Sequence, residues 1–71
     1  MNAIEEVRKS LYESYKWLYK EAVENMKTCL GYAKEYKKLG KLGWAVEWLE
    51  RANDSYKMAK SYKRSMERWA A

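Results

Sequence analysis

The sequence predicts an all-α protein, an antiparallel hairpin of two long helices. Proline is absent from the 71 residues, and two of the three glycines, Gly40 and Gly43, stand close together. Before and after this pair, apolar residues recur every three or four positions, which is the period of one face of an α-helix. Glycine just after a periodic segment is a typical helix C-terminus, because glycine adopts positive φ without strain. We therefore expect a helix over about 3–39, a glycine turn over 40–43 and a helix over about 43–69.

The first helix carries an apolar stripe with an 11-residue period. Its members follow spacings of three, four and four residues: Ile4, Val7, Leu11, Tyr15, Leu18, Ala22, Met26, Cys29 and Ala33. That period, about 3.67 residues per turn, predicts straight or slightly right-handed packing. Gly31 lies inside the pattern, so the helix either continues through it or bends there.

The second helix has its own apolar stripe, in which alanines alternate with aromatic residues. The stripe consists of Ala45, Trp48, Leu49, Ala52, Tyr56, Ala59, Tyr62, Met66 and Ala70. Small alanines allow the two helices to approach closely, and a short glycine turn makes them antiparallel neighbours. The first helix is predicted to be about ten residues longer at 1.5 Å per residue. Its first turns therefore extend past the end of the second helix.

Length and composition limit what can stabilise this fold. A chain of 71 residues forms one domain, covering 1–71, and such a small core rarely supplies more than ~3–5 kcal/mol. Cys29 is the single cysteine and histidine is absent, which excludes an intrachain disulfide and a structural zinc site. Self-association is therefore expected, with hairpins assembling into a multi-helix bundle as a homo-oligomer. The residues predicted to contact another copy or a partner protein are Ile4, Val7, Leu11, Trp17 and Val46.

No motif points to catalysis. The chain lacks a histidine base, a glycine-rich phosphate loop and a serine in a nucleophile setting, and no base is available to activate Cys29. We therefore expect no enzymatic activity, no cofactor, no metal site and no small-molecule substrate. No segment approaches the ~20 apolar residues of a membrane span, and the N-terminus lacks the apolar region of a secretory signal. The expected location is the cytoplasm or the inside of a virion.

Lysines form a line along the first helix. Lys9, Lys16, Lys20, Lys27, Lys34 and Lys38 fall within a sector of about 40° at 100° per residue. Four of the six have a glutamate three residues earlier, a spacing typical of helical ion pairs. This line is therefore interpreted as a solvated charge ladder in preference to a track for phosphates.

The C-terminal segment, residues 57–71, is the stronger candidate for binding nucleic acid. It contains five basic residues and one acidic residue, within a chain of net charge +5. A basic patch without matching acids is the electrostatic footprint of phosphate binding. The predicted contacts to DNA or RNA are Lys57, Lys60, Arg64 and Arg68, extended across the hairpin by Lys16 and Lys20.

Five residues around the glycine turn have the spacing of a known helical repeat: Tyr36, Gly40, Ala45, Leu49 and Ala52. In this spacing the segment 26–57 resembles a single helix–turn–helix unit of the tetratricopeptide repeat family. The chain departs from the family at Cys29, Ala33 and Lys57, where the repeat has tryptophan, glycine and proline. The resemblance implies binding of a peptide or a partner helix. In composition, rich in Lys, Glu and Tyr, the chain is similar to small proteins of hyperthermophilic archaea and their viruses.

Two functional hypotheses follow from these patterns. The first is a non-enzymatic, self-associating helical protein that binds the nucleic-acid backbone without sequence preference, as a nucleoprotein or virion component does. The second is a protein-interaction module, either an adaptor or a small inhibitor that docks a helix face on a partner. A filament or coat protein without nucleic acid has the same helix pattern as the first.

Overall fold

The computed structural model describes residues 3–70, which form two helices. Helix α1 spans Ala3–Lys38 and helix α2 spans Leu42–Trp69. The two helices pack against each other along their length in an antiparallel hairpin, so the predicted fold class is confirmed. Helix α1 continues through Gly31 without a break. Within the described residues, neither helix is long and apolar enough to cross a membrane.

The turn between the helices is built on one residue in the left-handed region. Gly40 has φ +75°, and its N–H donates to the carbonyl oxygen of Lys37 at 3.1 Å. The N–H of Lys41 reaches back to the carbonyl oxygen of Tyr36 at 2.9 Å. These two bonds form a Schellman motif, which satisfies the last carbonyls of α1. The turn therefore occupies residues 39–41, and Gly43, expected in the turn, lies inside α2 because one left-handed residue suffices.

The buried core is a narrow seam of alanines. Its members are Ala22, Ala33, Ala45, Ala52 and Ala59. No large side chain among the described residues is fully buried, because alanine contacts bring the helices close and leave larger groups at the sides of the seam. The eleven-residue separation of Ala22 and Ala33 matches the period predicted for α1.

The inward side of α2 differs from the predicted stripe. Half-buried side chains recur every seven residues at Trp48, Ser55, Tyr62 and Trp69, beside the buried alanines. Leu49 and Tyr56, which were expected in the stripe, are exposed on the other side of the seam. A seven-residue period drifts by about 20° per repeat relative to a straight helix. The inward side of α2 therefore includes alanine and serine, at positions where hydrophobicity alone predicted leucine and tyrosine.

The hairpin is long and thin. Its Cα atoms span 59 × 13 × 11 Å, and the radius of gyration is 16.5 Å, against ~11 Å for a compact chain of this length. Its accessible surface is 5838 Å², whereas a compact monomer of 8.6 kDa exposes ~4,700 Å². Each chain therefore exposes roughly 1,100 Å² more than a compact fold would.

Helix α1 extends beyond α2 at the open end of the hairpin. Helix α1 has 36 residues and α2 has 28, a difference of eight where about ten were expected. Ile4 and Val7 are exposed there, and together with Leu11 they line a shallow groove beside Trp69. Trp69 thus covers part of the apolar extension, and Leu11 beside it is half-buried.

Candidate nucleic-acid interface

The hairpin has two long faces that differ in charge. Residues two positions apart on a helix point about 200° apart, in nearly opposite directions. Val46 therefore points away from Trp44, and Tyr56 points away from Met58. Relative to the buried alanines of α2, Val46 and Tyr56 lie on one side, and Trp44 and Met58 lie on the other. We call the face with Val46 and Tyr56 the basic face, and the face with Trp44 and Met58 the neutral face.

Two adjoining grooves on the basic face bring together cations from both helices. The first groove is lined by residues that include Tyr19, Val23 and Met26 of α1 and Lys60, Lys63, Arg64 and Glu67 of α2. The second is lined by residues that include Tyr12, Lys16, Tyr19, Lys20, Val23, Glu24 and Met66. Because the grooves share Tyr19 and Val23, their cations surround one aromatic and apolar floor.

The floor of these grooves arises from residues beside the alanine seam. Tyr12, Tyr19 and Met26 are seven residues apart on α1 and are half-buried. Lysine side chains lay their methylene stems on such apolar surface while the ammonium group stays in water. The ammonium nitrogen of Lys60 lies 5.7 Å from the ring centroid of Tyr56, within the range of a cation–π contact. The basic groups are therefore held beside aromatic rings.

The structure brings together four of the six predicted contacts to nucleic acid. Lys60 and Arg64 line the first groove, and Lys16 and Lys20 line the second. Lys57 and Arg68 line neither of these two grooves. The guanidinium carbon of Arg68 instead lies 5.4 Å from the ring centroid of its neighbour Trp69.

Lys63 was missed by the sequence reasoning, although it lines the first groove. It follows Leu49 and Tyr56 at seven-residue intervals, on the side of the seam that forms the basic face. The sequence-based choice took cations that point away from the apolar stripe. The grooves form where the two helices meet, so a lysine at the edge of the stripe contributes as well.

The predicted ladder of ion pairs on α1 is largely unformed. Of its four glutamate–lysine pairs, the structure forms Glu35–Lys38, at 3.7 Å between Oε1 and Nζ. Lys16 makes no ion pair with Glu13 within residues 3–70, so its ammonium group is available at the second groove. On α2 the structure forms an ion pair between residues four apart, Glu47 and Arg51, at 3.7 Å. Such exposed pairs contribute only ~0.2–1 kcal/mol each.

The neutral face carries a cluster of aromatic rings next to the turn. Tyr32 lies on Trp48 with ring centroids 4.8 Å apart, and Tyr36 lies on Trp44 at 5.9 Å. The guanidinium carbon of Arg51 is 4.6 Å from the centroid of Trp48. These contacts join α1 to α2 where the alanine seam itself offers little side-chain area.

The residues predicted for self-association or partner binding do not form one patch. Ile4, Val7 and Leu11 lie together at the open end. Trp17 is 61% exposed on the outer side of α1, in a shallow pocket with Glu13, Ser14 and Leu18. Val46 is exposed on the basic face of α2.

Comparison of this chain with protein-family models, with curated proteins and with solved structures found no match. The resemblance to a tetratricopeptide unit therefore stays a prediction. The two faces of the hairpin differ: one carries grooves flanked by cations, and the other carries exposed aromatic rings.

Proposed function

We propose that this chain is a non-enzymatic, self-associating helical protein that binds the phosphate backbone of nucleic acid through its basic face. A nucleoprotein or a virion component acts in this way. The observation that carries the proposal is the pair of adjoining grooves, in which Lys16 and Lys20 of α1 and Lys60 and Arg64 of α2 flank a shared floor.

The spacing of these cations suits a phosphate chain. Residues four apart on a helix are separated by about 6 Å along the axis, as Lys16 is from Lys20 and Lys60 is from Arg64. Phosphates on one strand of duplex DNA rise about 3.4 Å per nucleotide along the axis and also wind around it, so the distance between neighbouring phosphates is close to the spacing of these cations. Contacts of this kind carry no sequence information, and we expect binding without sequence preference.

Self-association increases the affinity for nucleic acid of a surface that carries few cations per copy. Each hairpin offers only a few cations, and its net charge is +5. When two or more copies bind one strand, the later contacts become intramolecular, and avidity exceeds the affinity of a single copy by about 10²–10⁴. The basic face of every copy must then remain open while another surface holds the copies together.

The test is a fluorescence-anisotropy titration of random-sequence duplex DNA at about 50 and 200 mM salt. Four phosphate contacts predict a loss of affinity of about a hundredfold between these salts. The double reversal Lys60→Glu with Arg64→Glu should abolish the binding. Absence of binding by the unaltered protein at the lower salt would refute the proposal.

A matched control separates the grooves from total charge. Lys37→Glu with Lys38→Glu gives the same change in net charge at the last turn of α1, beside the hairpin turn. We expect this control to weaken binding far less than the reversal at Lys60 and Arg64. Equal losses from the two double variants would mean that only net charge matters.

A second candidate function is a protein-interaction module, which the exposure of Trp17 favours. Tryptophan is enriched at protein interfaces and scarce on open surface. In that case Trp17→Ala weakens the complex with the partner protein, while the reversal at Lys60 and Arg64 leaves it intact. The two variants therefore distinguish this function from the first.

A further inference from the structure

We propose that a second copy of this chain covers the neutral face, with the two hairpins antiparallel and Glu47 of each copy beside Arg68 of the other. This inference rests on the self-association in the proposed function and assigns it to one surface. It leaves the grooves of the basic face open to phosphates.

The neutral face has the composition of an interface core. Residues at seven-residue intervals along α2 form its outer row: Trp44, Arg51, Met58 and Ser65. On α1 the corresponding row is Leu18, Asn25 and Tyr32. Aromatic residues and methionine are enriched, and most charged residues depleted, in the buried core of protein interfaces. Only Arg51 in these two rows is charged, and Glu21 lies beside the row on α1, whereas the basic face carries lysines on both helices.

The area of the face matches the requirement of a stable dimer. The Cα atoms of the hairpin span 59 × 13 Å in their two longest directions, a footprint of roughly 770 Å², and a standard interface buries about 800 Å² on each partner. The same area is most of the ~1,100 Å² by which the single hairpin exceeds a compact fold. One further copy on this face therefore brings the exposed surface of each chain close to the ordinary range.

Charge at the edge of α2 selects the antiparallel orientation. Glu47 and Arg68 lie twenty-one residues apart, which is three seven-residue intervals, so they share one line near opposite ends of α2. Two α2 helices that run antiparallel bring Glu47 of one copy to Arg68 of the other, twice per dimer, as a twofold axis requires.

Two matched pairs of substitutions decide which face is used. Trp44 and Val46 are 57% and 53% exposed on opposite faces of α2, and Met58 and Tyr56 are 50% and 48% exposed. By sedimentation velocity, Trp44→Glu and Met58→Glu should each weaken the dimer about tenfold or more, as loss of a central interface residue does. Val46→Glu and Tyr56→Glu should leave the dimer nearly unchanged.

Met58→Glu is the cleaner variant, because Trp44 also stacks on Tyr36 within the hairpin. Helicity by circular dichroism confirms that each variant is folded. Dissociation by Val46→Glu and Tyr56→Glu, with the neutral-face variants still dimeric, would overturn the assignment while the self-association of the proposed function stands. A protein that is monomeric at every concentration would overturn both, and DNA binding would be judged separately.

A charge swap tests the orientation. Arg68→Glu alone should weaken the dimer, and adding Glu47→Arg should restore it. In the antiparallel dimer, Glu21 of one hairpin lies near Glu21 of the other, close to the twofold axis. Glu21→Gln should therefore tighten this dimer by removing the repulsion between the two carboxylates. A swap that fails to restore the dimer, or a Glu21→Gln variant that weakens it, would reject the antiparallel arrangement.

Discussion

The rings of Tyr32 and Trp48 lie 4.8 Å apart, centroid to centroid, at an interplanar angle of 34°, and they join the two helices close to the turn. The alanine seam beside them buries little apolar area. Side-chain contact between the helices therefore depends strongly on aromatic pairs at the sides of the seam. Such pairs contribute about 0.5–1.5 kcal/mol beyond the area they bury.

A double-mutant cycle on Tyr32 and Trp48 measures this contribution. We expect Tyr32→Ala and Trp48→Ala each to lower the free energy of unfolding, with a coupling of about 0.5–1.5 kcal/mol between them. Urea unfolding of the two single variants and the double variant gives the coupling. Tyr15 and Tyr62, whose centroids are 6.4 Å apart, should show a smaller value. Strict additivity at Tyr32 and Trp48 would contradict the role of the pair.

Gly40→Ala should destabilise the hairpin by about 1–2 kcal/mol, because an L-residue with a Cβ is strained at positive φ. Gly40 has φ +75°, although the space around it is open. Gly43→Ala is the control, since Gly43 is helical and a Cβ there meets nothing within 4 Å. Chemical denaturation of both variants checks the difference. Equal stability of the two would show that the turn tolerates another conformation.

Gly31→Ala should stabilise the protein by about 0.5–1 kcal/mol, because alanine loses less backbone freedom than glycine in a helix interior. The added Cβ meets no atom within 4 Å, so no steric cost opposes this gain. A rise in the midpoint of urea unfolding is the expected observation. Loss of stability would mean that another molecule approaches α1 closely at this position.

Ala52→Leu should lower the free energy of unfolding by about 1–3 kcal/mol, the usual cost of overpacking a tight core. Ala52 is among the five buried alanines, where the larger side chain forces the helices apart. Asn53→Leu, at an exposed neighbouring position, should change stability by no more than about 0.5 kcal/mol. Thermal unfolding of both variants makes the comparison. A tolerated leucine at position 52 would show that the seam is looser than its burial indicates.

Much of the fold follows from local sequence rules. The absence of proline and the position of Gly40 determine two helices, and each predicted helix boundary lies within about one residue of the structure. The choice between Leu49 and Ser55 for the inward side of α2 did not follow from hydrophobicity. It depends on how the seam drifts around the helix when two alanine-lined surfaces pack closely, which is a property of the pair of helices.

The same limit applies to the candidate site. The antiparallel arrangement alone places Lys16 and Lys20 opposite the C-terminal part of α2, and the sequence was sufficient to expect this. Lys63 lies at the edge of the stripe. Its position in a groove depends on how each helix is rotated about its own axis when the two helices pack together. The aromatic cluster of the neutral face was missed for the same reason.

The unequal distribution of ring contacts has a consequence for how the hairpin opens. Two ring pairs and the Schellman bonds hold the helices together beside the turn, whereas Ile4 and Val7 extend past α2 at the other end. The two helices are therefore expected to separate first at the end opposite the turn. Amide hydrogen exchange near Met66 should proceed through such partial opening, while amides near Ala45 exchange only when the whole hairpin unfolds.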